Sequence, residues 1–252
     1  MIELMYLFVR YVILKPLGLV KDDVSDIKKE NEWLEGVGYL PKRADTKKLI
    51  QTTKLILVRH GETDKNIAGK MHVKEDTSGI NRRGAEQIQA VARRLMREEI
   101  AMVITSTEQR ARESAKILSD LMEVPLSEAR ELDERHWGEL SDTTWEEVKT
   151  RLDTMSIDER YEFQPSDGES WRMFEERLVD AVKKIVTMYQ GKTVLIVVHG
   201  GVIRALIPWL TESALEESLK HDPVNGSISR FVCDSSGCHA EIINDNAHLN
   251  SV

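Results

Sequence analysis

Three short runs, KLILV at 54–58, AMVIT at 101–105 and TVLIVV at 193–198, are apolar almost throughout, and each leads into a stretch with the spacing of an amphipathic helix. Those stretches are RGAEQIQAVARRLMREE, EQRARESAKILSDLM and VIRALIPWL. A strand that is apolar on both faces must be covered on both faces, and alternation with helices supplies the cover. The pattern therefore predicts an α/β fold: a three-layer α/β/α sandwich around a mostly parallel central sheet. A last pair of strands, SISRFVCD and CHAEIIND turned by SSG, is expected to close one edge as a hairpin.

In an open sheet of this kind ligands bind beyond the carboxyl ends of the strands. Each apolar run here ends in the same sort of residue. KLILV is followed by Arg59, His60 and Gly61, AMVIT by Ser106 and then Arg110, and TVLIVV by His199, Gly200 and Gly201. One histidine after a strand would mean little. Two arginines and two histidines delivered to one sheet edge, with glycines that permit close approach, suit a tetrahedral dianion such as phosphate. Arg59 next to His60 disfavours the imidazolium, which keeps a neutral, nucleophilic ring nitrogen near pH 7.

The rest of the chain sets limits. With 252 residues, 41% hydrophobic, core burial is not in question, and a net charge of −8 argues against a protein that wraps nucleic acid by bulk charge. Cys233 and Cys238 are too few for a disulfide framework and lack zinc-site spacing, so they read as incidental residues flanking a turn, compatible with a reducing cytoplasm. No metal-ligand spacing such as H-E-x-x-H occurs. GETDKNIAGK is not a P-loop, because seven residues separate Gly61 from Gly69 and Met71 stands where Ser or Thr is needed.

Residues 1–53 read as an N-terminal extension to a domain spanning 54–252. Its first 20 residues are apolar but interrupted by Glu3, Arg10 and Lys15 and ended by Pro16, a poor match to a membrane span or a secretory signal. As a helix this segment would keep a broad apolar face, suited to peripheral membrane contact, homo-oligomer contact or packing on its own domain; an upstream, non-native start is the other reading. A charged stretch with one helix from Asp23 or Ser25 to Gly36 follows, then the linker GVGYLPKRADTKK.

RHGET, STEQRARESA, ELDERHWGEL, DGES and VVHGGVIRAL, in that order, resemble the histidine phosphatase superfamily, the phosphoglycerate-mutase-like group that works through a phosphohistidine. The likeness covers about residues 54–249, including Gly84 with Gln87 and the terminal NDNAHL. It implies a metal-independent phosphomonoesterase with no cofactor, acting on a small phosphorylated substrate. By position, His60 is implied as nucleophile, Arg59 and Arg110 as phosphate clamps and His199 as the second phosphoryl-binding histidine. Asn66 and the Gly200 N–H are implied as further phosphate contacts. Glu134, four residues before Gly138, is implied as proton donor, with Asp133 left as a structural or solvated carboxylate.

Phosphoryl transfer by such a set needs only in-line positioning, charge stabilisation and one proton shuttle. Many relatives begin the second motif with Ser-Pro-Leu where this chain has Ser-Thr-Glu. Glu108 either deters highly anionic substrates or points to solvent, and the second is expected. The 139–170 insert is short and acidic where mutases carry a longer, basic one, so hydrolysis is expected over phosphoglycerate mutase-type transfer. A membrane- or partner-tethered protein phosphatase or scaffold is the remaining alternative. Specificity is expected in this insert and in the loop from Met71 to Asp76.

Overall fold

The computed structural model describes residues 52–72, 76–141 and 143–250. The expectations for the extension before residue 52 lie outside the described residues. Six strands form one sheet: β1 (Thr53–Arg59), β2 (Ile100–Thr105), β3 (Leu126–Glu128), β4 (Thr193–Val198), β5 (Ile228–Asp234) and β6 (Gly237–Asp245). Their order is β3-β2-β4-β1-β5-β6. The first four are mutually parallel, and β5 and β6 add an antiparallel hairpin at one edge.

Alternation within β1 shows why the strands are apolar on both faces. Leu55 and Leu57 enter a core with α6 (Trp171–Met188) and α7 (Gly200–Thr211), whereas Ile56 and Val58 enter another with α2 (Arg82–Leu95) and α3 (Gln109–Met122). Side chains of a strand alternate between faces, so both sets are buried only because helices cover both. At about 1.5–3 kcal/mol for each large apolar side chain, these two cores are the main favourable contribution to folding. The three-layer α/β/α sandwich expected from the sequence is the fold observed.

Two elements lie outside the expected pattern. Strand β3 has only three residues, all exposed, and carries no apolar signal. In α6, Phe174, Leu178, Val182 and Ile185 repeat at helical spacing and form the helix's buried stripe. The helices α1 (Asp64–Ile67), α4 (Trp145–Leu152) and α5 (Ile157–Glu162) are short. Among the described residues no helix is long and apolar enough to cross a membrane.

The two cysteines are not incidental. Cys233 and Cys238 face each other across the β5–β6 hairpin and are joined by a disulfide. Sequence spacing alone did not separate a cross-strand pair from two residues beside a turn.

Near the site, main chain meets main chain. Asn81 caps α2 by accepting from the Gly84 N–H at 2.8 Å. A Cβ on Gly84 would run into the Glu62 carbonyl, and one on Gly61 into the Gly84 carbonyl. Gln87 completes the junction by accepting from the Glu62 N–H at 2.9 Å. The Gly84–Gln87 pair thus holds the first turn of α2 against the chain just beyond His60. Gly84→Ala is expected to destabilise the protein by about 1–3 kcal/mol, because backbone rather than a flexible side chain must move. Urea unfolding of the variant against the parent measures it.

Candidate active site

Parallel pairing of β1 with β4 and of β4 with β2 brings the three motif-bearing strand ends to one place. His60 follows β1 and is buried, and its two ring nitrogens have unambiguous partners. Nδ1 lies 2.7 Å from the Gly61 carbonyl, which can only accept, so Nδ1 carries the proton. Nε2 accepts from Arg110 Nε at 3.2 Å, so its lone pair is the one directed into the site. Burial, then the charges of Arg110 and Arg59, hold the imidazole pKa well below its ordinary value. Repulsion from Arg59 acts in the direction expected from sequence, but burial and Arg110 outrank it.

Arg110 is 1% exposed, near the start of α3. Its Nη2 contacts the Glu108 carboxylate, whereas Nη1 is buried with no partner among the described residues. Arg59 donates from Nη1 to the Pro223 carbonyl at 2.6 Å, and its buried Nε likewise has no partner among the described residues. Burial lowers the pKa of Arg59. Two guanidiniums with unused donors are what an oxyanion requires and what a folded core otherwise avoids.

His199 is the N-cap of α7 and buried, with its ring centroid 5.2 Å from that of His60. A relay fixes its orientation. Asp133 accepts from the Ser106 hydroxyl at 2.9 Å and from the Thr107 N–H at 2.7 Å. Ser106 spends its only proton on Asp133, so the 2.7 Å contact with His199 Nε2 runs from the ring N–H to the hydroxyl oxygen. Asp133 is therefore the structural carboxylate expected. Burial first, then Arg110, hold the His199 pKa well below the ordinary imidazole range.

Glu134 lies beside the cradle, accepting from the Gly201 N–H at 2.9 Å and from the Arg135 N–H at 2.9 Å. Asn66 lines the same cavity, and its Oδ1 is occupied by the Thr63 N–H at 3.2 Å and by Asn225 Nδ2 at 3.1 Å, which leaves its NH2 to donate. Gly200 lines the cavity in the first turn of α7, against the Arg59 guanidinium. All seven site residues expected from sequence, Arg59, His60, Asn66, Arg110, Glu134, His199 and Gly200, thus converge at one sheet edge.

Other residues there were not expected. Asn225 donates to the His60 carbonyl at 3.0 Å, and Arg204 faces the cavity between Trp145 and Trp171, with its guanidinium carbon 5.4 and 5.8 Å from the ring centroids. Asn225 carries no sequence signal. Arg204, five residues after His199, falls one helical turn beyond Gly200 and was findable by that spacing.

The cavity has a volume of about 390 Å³. Its lining includes Met71 and His72 from the expected loop and Trp145 from the expected 139–170 insert, with Trp137 and Trp171 just outside that insert. Main-chain bonds stitch the two sides: Trp145 N–H to the Gly69 carbonyl at 3.1 Å and Met71 N–H to the Thr143 carbonyl at 3.3 Å.

One expectation fails. The Glu108 carboxyl does not point to solvent; its side chain is 16% exposed and turned inward, accepting from the Glu134 N–H at 3.2 Å and touching Arg110. As N-cap of α3 it makes no side-chain cap bond, because the buried guanidinium two residues on is the stronger partner.

The sequence model of the histidine phosphatase superfamily, branch 1, matches residues 55–246. The chain belongs to that superfamily. By that membership it is a phosphatase. An Arabidopsis thaliana protein described as a metal-independent phosphoserine phosphatase is 30% identical over 201 residues, 77% of this chain and 84% of that protein. Phosphoglycerate mutase-like protein 4 of the same plant is 31% identical over 183 residues, 70% of this chain and 79% of its own. Among solved structures, Bacillus stearothermophilus YhfR superposes with a TM-score of 0.70 at 28% identity, covering 79% of this chain and 100% of that one.

The Glu134 carboxylate rests against Gly201, where a Cβ would displace its oxygens. Gly201→Ala is expected to lower kcat on p-nitrophenyl phosphate by about 10-fold or more while leaving the unfolding midpoint within a few degrees of the parent, since the atom that yields is the end of a flexible side chain. Steady-state kinetics and a thermal melt separate the two effects.

Proposed function

We propose that the domain spanning 54–252 hydrolyses small phosphomonoesters through a phosphohistidine on His60. The observation that carries this reading is the fixed tautomer of His60: Nδ1–H held by the Gly61 carbonyl, and a lone pair at Nε2 directed at the buried Arg110. A neutral nitrogen aimed into a cationic cradle is a nucleophile for phosphorus.

In the first half-reaction Nε2 attacks phosphorus, the P–N bond forms and the ester P–O bond breaks. Arg110 exchanges its bond to Nε2 for bonds to the phosphoryl oxygens, joined by Arg59, Asn66, the Gly200 N–H and His199, whose Nε2–H turns from the Ser106 oxygen to a phosphoryl oxygen. Glu134, protonated, gives its proton to the departing alcohol oxygen. In the second, Glu134 as carboxylate takes a proton from water, the hydroxide attacks phosphorus, and the P–N bond breaks to release phosphate. Charge stabilisation by oriented donors is the main contribution to rate in such a site.

For the substrate, Arg204 and Lys70 at the walls favour a small ester with a second anionic group. Phosphoserine, named for the Arabidopsis relative, has one.

His60→Ala is expected to lower turnover of p-nitrophenyl phosphate by about 10³-fold or more, with the parent's activity unaffected by EDTA. Rapid quenching in alkali, where phosphohistidine survives, should trap labelled protein from the parent and more from Glu134→Gln, because p-nitrophenolate leaves without a proton while water still needs a base. Label on His60→Ala would rule out this nucleophile. Arg204→Met is expected to lower kcat/KM several-fold more for phosphoserine than for p-nitrophenyl phosphate; equal losses would remove the second-anion reading.

A further inference from the structure

Glu108 has no place in the mechanism above, yet it is the acid nearest the clamp. Its carboxylate contacts Arg110 Nη2 from its own helix, and one oxygen lies 3.7 Å from His199 Nε2 at the start of α7. From the chain after Leu132, the Glu134 N–H donates to it, and the carboxylates of Asp133 and Glu134 are its acidic neighbours. His60 Nε2 accepts from the Nε of the same guanidinium. A dianion held by Arg110 would share that guanidinium with an ionised Glu108, beside the acidic side chains of Asp133 and Glu134.

We infer that Glu108 is a proton-linked specificity residue: its ionised form holds Arg110 against an entering dianion, and the site takes up one proton at Glu108 when a tetrahedral dianion binds. This rests on the phosphoryl-clamp reading of the cavity. The proton comes from solvent, no covalent bond changes, and Arg110 Nη2 is released to the ligand.

The energetics agree with the geometry. Burial, opposed by Arg110 and reinforced by Glu134 and Asp133, raises the Glu108 pKa to about 7. Near neutral pH the free site therefore contains both protonation states, and a dianion selects the protonated one. Above pH 7 uptake costs progressively more, so affinity falls as pH rises, by up to about tenfold per pH unit for one linked proton. The depressed pKa values of His60 and His199 keep both rings neutral in the free site across this range.

Tungstate, a tetrahedral dianion throughout the neutral range, is the probe. Calorimetric titration of the full chain from pH 6.5 to 8.5, in two buffers of different protonation heat, reads affinity and proton uptake together. The parent is expected to take up about three-quarters of a proton at pH 7.5 and nearly one at pH 8.5, and to bind up to about tenfold more weakly for each pH unit above 7.5. Glu108→Gln is expected to take up none, to bind with pH-independent affinity, and to keep its KM for p-nitrophenyl phosphate level over the same range. Glu108→Leu, which needs no buried hydrogen bond, provides the same comparison should the amide disturb folding. Equal pH dependence in parent and variants, or no uptake by the parent, overturns the inference while leaving the phosphatase reading intact. Tungstate that fails to compete with p-nitrophenyl phosphate would overturn both.

Discussion

A buried arginine needs a negative partner, and much of this site is arranged around Arg110. Its side chain lies in the interior at the start of a helix, with one face on the nucleophile's nitrogen and another on Glu108. Taking a guanidinium out of water costs several kcal/mol unless every donor finds an acceptor. Here Nη1 has none among the described residues. An unfinished coordination of this kind persists because strands β1, β2 and β4 hold the surrounding groups too firmly to collapse onto it. The remaining demand for negative charge is what an entering anion would satisfy.

Rigidity comes from backbone as much as from side chains. The chain leaving β1 is held by the Gly61–Gly84 contact, by Gln87 and by Asn225, and the second histidine is held through Ser106 by an acid with three donors of its own. His60 and His199 thus each have supporting partners that hold them in place. Positioning of this quality is what converts several ordinary side chains into one reactive arrangement.

Most of the fold, and the convergence of the seven candidate site residues, was legible in the sequence, for a definite reason. Apolar runs such as KLILV and TVLIVV advertise strands buried on both faces, and the rule that parallel strands present their carboxyl ends together turns three separated motifs into one place. What stayed hidden depended on contacts between distant residues. The exposed strand Leu126–Glu128 has no apolar signal, Asn225 is one asparagine in a polar loop, and Cys233 pairs with Cys238 only because a hairpin sets them opposite. Glu108 was misjudged because a glutamate ahead of a helix is ordinarily solvated; only the position of Arg110 shows that this one turns inward.

The two walls of the cavity are joined by main-chain bonds between residues 69–71 and 143–145, whereas the surface they offer to a ligand is made of side chains. The frame is thus largely indifferent to what is mounted on it. Met71, Trp145 and their neighbours can be exchanged over generations without loosening the mouth of the pocket or disturbing the groups beneath it. Selectivity and chemistry can in this way drift apart in lineages that share this architecture, the one changing quickly while the other stands still.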